Sequence, residues 1–254
     1  MSKFLTDTLD GIEITRAKEV EKHGEHDQSS HGAWANGQNG ESEETTSDRK
    51  GVGYKESDKH PKYDFNSEDG PNIEYYTNEG YDEINRFLRS GKSDPMGDDP
   101  DTLREYTRSL DKAIKETSAP RDMTVFRGTS GVTKFDSLKE GDVFTDKAFV
   151  STTTDLDTVC QFMSTATGDS QFDSRPFEKG YVLEISVPQG NRIFSVNNYF
   201  SETSGKYGPA DDIRSENEHI LPRGSKFKVD SIGTINVRGV KDKLIRVSVV
   251  KDEK

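Results

Sequence analysis

Three groups of residues have the types and spacing to do chemistry: Arg127 in VFRG, the hydroxyl run Ser151-Thr152-Thr153 in FVSTT, and the paired carboxylates Glu216 and Glu218 in ENEHILPRG. A guanidinium fixed at a strand end binds the oxygens of a pyrophosphate through a bidentate fork. Gly128 beside it lets backbone and ligand approach closely. On its own VFRG reads as a surface arginine in a salt bridge, and only the ordered set of motifs reverses that reading. The hydroxyls of Ser151 and Thr152 both donate and accept, which suits them to positioning a carboxylate and a sugar. Strand propensity and a helix cap are their structural alternative, and Thr154 is assigned to the cap. Glu216 and Glu218 are two apart, so in extended chain both carboxylates point to one side. An anion aimed at a sugar carbon stabilises the positive charge that builds there as a glycosidic bond breaks. A second carboxylate can hold a cationic acceptor and take its proton.

This ordered set resembles the arginine, Ser-Thr-Ser and Glu-x-Glu signature of the ADP-ribosyltransferase exoenzyme family, the clan of clostridial binary toxins and bacteriophage transferases. The VPQG break after a strand and the ILPRGSKFKV run after the glutamates fit it as well, and Tyr76, Tyr81 and Asn85 repeat the spacing with which such toxins line their NAD pocket. The resemblance implies an α+β, ADP-ribosyltransferase-like fold of two packed antiparallel-rich sheets with flanking helices. It implies a mono-ADP-ribosyltransferase that consumes NAD as a substrate and uses no metal. Arg127, Ser151, Glu216 and Glu218 are then catalytic. NAD is bound by Tyr76, Tyr81, Asn85, Arg127, Gly128, Ser151, Thr152, Phe162 and Glu218.

Within that resemblance Ser151 hydrogen-bonds the second glutamate, Glu218 also binds a ribose hydroxyl, and Glu216 orients the acceptor. Phe162 stands where the family stacks an aromatic on nicotinamide; a half-buried packing ring is its alternative. Relatives with Gln at the first position modify Asn or Gln, so Glu-x-Glu implies an arginine of a protein target. The sequence departs from the pattern at Thr153, which replaces Ser, and at Ala148, where the toxins have Asn. Arg175 is a loose substitute for a second phosphate ligand. An NAD glycohydrolase and a non-catalytic virion-associated binding protein are the rival readings.

Elements must position these groups. Tyr81, Ile84, Asn85 and Leu88 follow helical spacing with Gly91 as the stop, and Leu103, Tyr106, Leu110, Ala113 and Ile114 form the stripe of a second helix ended before Pro120. A third helix starts at a capping-box-like Thr154 and Asp157, with Leu156, Val159, Cys160 and Met163 on one face. Strands are expected at 123–128, 148–153, 180–188, 192–196, 218–222, 226–232 and 244–250, with RGVKDK as the turn between the last two. Helices first and strands later suit an α+β domain.

The first 69 residues read differently. Residues 1–70 carry nine Lys/Arg against sixteen Asp/Glu, and the tract from His23 to Asp69 lacks an apolar run, so 1–69 is expected to be a flexible acidic extension and 70–254 the catalytic domain. A short amphipathic helix is expected between Phe4 and Val20. His23, His26 and His31 lack the companions of a metal site, and their tract resembles a short element in structural proteins of tailed bacteriophages. The net charge of −12 argues against nucleic acid and for a basic host protein as partner. The lone Cys160 excludes an internal disulfide framework. No signal-peptide core or membrane-spanning run is present, which gives the expectation of a monomer in the host cytoplasm or packaged in a virion.

Overall fold

The computed structural model describes residues 11–16, 44–45, 51–55, 58, 69–130, 132–162, 180–201, 216–237 and 240–251. Met163 of the expected third helix, Arg175 and the histidine tract at 22–32 lie outside the described residues.

Three helices come first. α1 (Asp69–Tyr75) runs through a π-helical turn at Tyr76–Gly80 into α2 (Tyr81–Ser90), which ends on Gly91 at φ 71°. A left-handed residue at a helix end favours glycine, the one residue without a Cβ penalty there. α3 (Pro100–Glu116) starts where the sequence expects little: the Asp99 side chain accepts the amides of Asp101 and Thr102, and Pro100 occupies the first turn, where its missing N–H costs nothing. The apolar faces of these helices bury Ile73, Ile84, Leu103, Leu110, Ala113 and Ile114.

The strands follow. β3 (Met123–Ser130), β4 (Val143–Asp146), β5 (Val150–Thr153), β6 (Gly180–Val187), β7 (Phe194–Ser195), β8 (Glu218–Leu221), β9 (Lys226–Val237) and β10 (Val240–Val249) join β1 (Ile12–Thr15) and β2 (Glu44–Thr45). α4 (Leu156–Phe162) follows β5, and α5 (Val196–Ser201) follows β7. The hydrogen-bonded order is β1-β4-β9-β10-β6-β3-β5-β8-β7, with β2 on β9. The pairs β10 with β6 and β2 with β9 are parallel, and the other pairs are antiparallel. β3 meets β5 at a single register pair, Phe126 with Thr153. That seam divides the path into a larger part, cored by Val125, Phe144, Leu183, Ile185, Phe227 and Ile245, and a smaller one whose Phe149, Phe194 and Ile220 pack on the helices.

Several expectations change. Residues 12–15 form a strand rather than part of a helix, because Ile12 and Ile14 alternate with polar residues and Ile12 enters the core beside β4. The Lys134 ammonium donates to the Ile12 carbonyl at 3.0 Å, and Arg16 binds Asp142. Residues 241–243, expected in a turn, pair with Asn236, Ile235 and Thr234. Lys243 can join the strand because its ammonium reaches the Phe135 carbonyl at 2.7 Å. α4 is capped by Asp155, whose carboxylate accepts the Asp157 amide at 2.9 Å, rather than by Thr154. Tyr199 on α5 is buried against Phe194, with ring centroids 5.2 Å apart.

Candidate active site

β5 and β8 bring the hydroxyl run and the second glutamate together. Thr153 pairs with Glu218, Thr152 with His219 and Ser151 with Ile220. Side chains alternate across a strand, so Ser151, Thr153 and Glu218 project from one face and Thr152 and His219 from the other. Glu218 is 5% exposed.

Tyr76, at the start of the π-helical turn, reaches this face from the helical layer. Its hydroxyl lies 3.3 Å from Ser151 Oγ and accepts the Asn85 side-chain amide at 3.1 Å. Asn85 Oδ1 in turn accepts the Phe149 amide at 3.2 Å, which ties α2 to the approach of β5. π-helical turns inside helices recur at functional sites because they shift the register of one side chain. Burial pushes the Tyr76 hydroxyl up to about 12, with the Glu218 charge also raising it and Ser151, Asn85 and Arg127 pulling the other way. Tyr76 therefore stays a neutral hydroxyl, within electrostatic reach of both Glu218 and Arg127. Tyr81 is pushed up as well, by burial first and then by Asp82, Glu216 and Glu218.

Arg127 stands on β3 opposite Leu183, and its guanidinium donates to the Ser151 carbonyl at 3.2 Å. It thus bridges the seam where β3 and β5 share one register pair. Gly128 follows inside the sheet, paired with Val182. Phe162 is the last residue of α4; its side chain lies outside what the structure describes.

Two site expectations are corrected. Glu216 and Glu218 do not alternate along one strand: β8 begins at Glu218, Glu216 lies in the preceding turn, and Asn217 between them has φ 47°. A left-handed residue breaks the extended repeat that would put both carboxylates on one side. Glu216 is half-buried at the rim while Glu218 is buried. Thr152, expected to touch NAD, is 4% exposed and donates its hydroxyl to the His219 carbonyl at 2.7 Å. Its strand position points it away from Ser151, so it locks β5 to β8 instead.

Sequence reading missed the residues that hold the glutamate turn. Thr153 Oγ1 donates to the Glu216 carbonyl at 2.6 Å and accepts the Asp155 amide at 2.9 Å. The Asn197 side-chain amide donates to Asn217 Oδ1 at 3.0 Å. His219 Nδ1 lies 2.9 Å from the Asn217 carbonyl. The asparagine between the glutamates was a usable signal, since Asn is among the few residues that tolerate the left-handed region. Nothing local in the sequence points to Asn197.

The arrangement offers a buried carboxylate, a guanidinium, two hydroxyls and a carboxamide at one end of a sheet. This donor set suits a dinucleotide: the guanidinium matches a pyrophosphate, and the hydroxyls and carboxylate match ribose. No group of three or more His, Cys, Asp or Glu placed to hold a metal ion occurs among the described residues.

Comparison with known proteins agrees. The family described as ADP-ribosyltransferase exoenzyme matches residues 53–252. Exoenzyme T of Pseudomonas aeruginosa is 30% identical over 130 residues, 50% of this chain and only 26% of that protein's length. Vis toxin, an ADP-ribosyltransferase from Vibrio splendidus, is similar with a TM-score of 0.52 at 21% identity, covering 73% of this chain and 74% of that one. Vis has also been solved with agmatine (TM-score 0.52, 22% identity, 75% and 78% covered). The ADP-ribosylating toxin BECa of C. perfringens, solved with NADH, has a TM-score of 0.52 at 16% identity, covering 72% of this chain and 43% of that one. The structural likenesses bear on the fold, and the family match spans most of the sequence: the chain belongs to the ADP-ribosyltransferase exoenzyme family.

Proposed function

We propose that this chain is a mono-ADP-ribosyltransferase that consumes NAD and passes its ADP-ribose to an arginine of a protein target. The observation that carries the reading is the buried Glu218 carboxyl on the face it shares with Ser151, whose Oγ lies 3.3 Å from the Tyr76 hydroxyl and whose carbonyl accepts the Arg127 guanidinium. Arg127 holds the pyrophosphate. Tyr76, Ser151 and Asn85, joined by hydrogen bonds, orient the ribose beside Glu218. Loss of nicotinamide leaves positive charge on the sugar carbon, and a carboxylate in a partly desolvated setting stabilises such charge far better than one in water.

Glu216 takes the acceptor. It stands half-buried at the rim, where an incoming guanidinium can reach it. That guanidinium is cationic at neutral pH, so a carboxylate both attracts it and accepts the proton it must lose. Agmatine, bound by the Vis toxin, is a small guanidinium compound and supports an acceptor of this type. The net charge of −12 favours a basic partner, which we take to be a host protein met in the host cytoplasm.

The test is incubation with NAD labelled in its adenylate part, together with agmatine or a host lysate, followed by mass spectrometry of the labelled species. Labelled agmatine and labelled arginines are expected. Free ADP-ribose alone would make the chain a glycohydrolase, and no NAD consumption would leave a binding role.

A further inference from the structure

His219 follows Glu218 directly, so its side chain leaves the opposite face of β8 and lies outside the constellation above. It is 4% exposed, and its ring stacks on Tyr54 with centroids 5.8 Å apart and planes 21° from parallel. Nε2 accepts the Tyr54 backbone N–H at 3.4 Å. A ring nitrogen that accepts carries no proton, so the proton of the neutral imidazole sits on Nδ1. Nδ1 therefore donates to the Asn217 carbonyl, 2.9 Å away. That carbonyl belongs to the peptide bond leading into Glu218, and it is the carbonyl of the φ 47° residue that separates the two glutamates.

Tyr54 belongs to a segment, residues 51–55 with Asp58, that is sewn to the body of the domain. The Gly51 amide donates to the Thr154 carbonyl at 3.1 Å, and Val52 and Thr124 exchange backbone bonds of 2.8 and 2.9 Å. The Tyr54 hydroxyl donates to the Ser118 carbonyl at 2.6 Å, and Arg121 pairs with Asp58. The segment lies flush against the turn after β5 and against His219. A Cβ on Gly53 would stand 2.5 Å from Thr154 Cγ2 and 3.0 Å from His219 Cε1, so a side chain there would have to displace Thr154 and press on the ring.

We propose that His219, in its neutral form protonated at Nδ1, is a positioning residue of the site: it ties the 51–55 segment to the Asn217 peptide and so directs Glu216 and Glu218. This rests on the transferase reading above. Displacing a reacting group by about 1 Å can cost on the order of 10²-fold in rate, so a ring that aims the peptide before Glu218 acts on kcat rather than on NAD affinity. A histidine that merely fills space would be replaceable by an apolar side chain of similar bulk without that effect.

The full-length chain tests this with His219→Leu, which fills the space but donates nothing, and His219→Asn, which keeps an N–H donor at the Nδ1 position. NAD cleavage by His219→Leu should fall about tenfold or more in kcat, with KM for NAD within about threefold. His219→Asn should recover most of the loss. The amides of residues 217–219 should exchange faster in the Leu variant, and long-range 15N–1H spectra of the wild type should show the Nδ1-protonated tautomer. A folded Leu variant with wild-type kcat, or an Asn variant no better than Leu, overturns the proposal. So does an Nε2-protonated ring in the wild type, a result independent of whether the variants fold. If the wild type consumes no NAD, the transferase reading falls, and the tautomer and exchange measurements still decide the role of His219.

Discussion

The hydroxyl of Thr153 donates to the backbone carbonyl of Glu216 across 2.6 Å and also accepts the amide of Asp155. One side chain thereby joins the end of β5, the start of α4 and the glutamate turn. Replacing it by valine keeps the shape and removes both bonds. Each buried polar group left unpaired costs about 1–3 kcal/mol, so Thr153→Val should be destabilised by about 2 kcal/mol or more in chemical denaturation. Because the freed carbonyl is that of Glu216, transfer to an acceptor should fall further than NAD hydrolysis. Thr153→Ser, which keeps the hydroxyl, should behave like the wild type in both assays.

Glu218→Gln retains size and removes the charge. Transfer and hydrolysis should both drop by on the order of 10²-fold or more, as for other losses of transition-state electrostatics. Calorimetry should show a melting temperature no lower than the wild type, since a buried carboxylate gives way to a neutral amide. Near-wild-type rates in a folded variant would remove Glu218 from the chemistry.

Glu216 should divide the two reactions. With Glu218 intact, Glu216→Gln should keep NAD hydrolysis better than it keeps transfer to agmatine. A tenfold fall in the ratio corresponds to about 1.4 kcal/mol of barrier. Both rates must come from one preparation at saturating NAD. An equal fall in both would assign Glu216 a role other than handling the acceptor.

Asp242, buried on β10, is pushed up to about 6 by burial, and among the described residues its Oδ2 has no hydrogen-bond partner. The folded carboxyl thus holds its proton to higher pH than the unfolded one, whose ordinary value is 3.8. Between those values the folded chain binds more protons, so this group's contribution is full below the ordinary carboxylate range and is lost as pH rises through about 6. Asp242→Asn should therefore be more stable than the wild type at pH 8, by at most about 3 kcal/mol, with the gap closing toward pH 4. Denaturation midpoints at the two pH values measure it, and a variant less stable at pH 8 would contradict the assignment.

Part of the candidate site was legible in local chemistry: Arg127, Ser151 and Glu218 stand in strands that the sequence signals by β-branched and apolar residues. Tyr76 and Asn85 were singled out for the site by the family resemblance, not by residue chemistry or period. What periodicity could not register was the π-helical turn at Tyr76–Gly80, whose extra residue per turn has no apolar signature. It also could not see that segments before residue 69 belong to the fold. Ile12–Thr15 and residues 51–55 are too short and too polar around to carry a run signal, and they are held by long-range backbone bonds to β4 and β3.

By itself the sequence determined the α+β class, the order of the three motifs and the residue types that suit NAD, since these depend on composition, period and neighbours along the chain. Only the tertiary structure decided which way the groups face. The left-handed Asn217 sends Glu216 to the rim and Glu218 into the buried face, the pairing of Thr152 with His219 turns that hydroxyl away from Ser151, and the segment around Tyr54 closes on His219. Each outcome rests on contacts between residues tens to more than a hundred positions apart, and the cost of burying unpaired polar groups, which no local pattern encodes, selects among them.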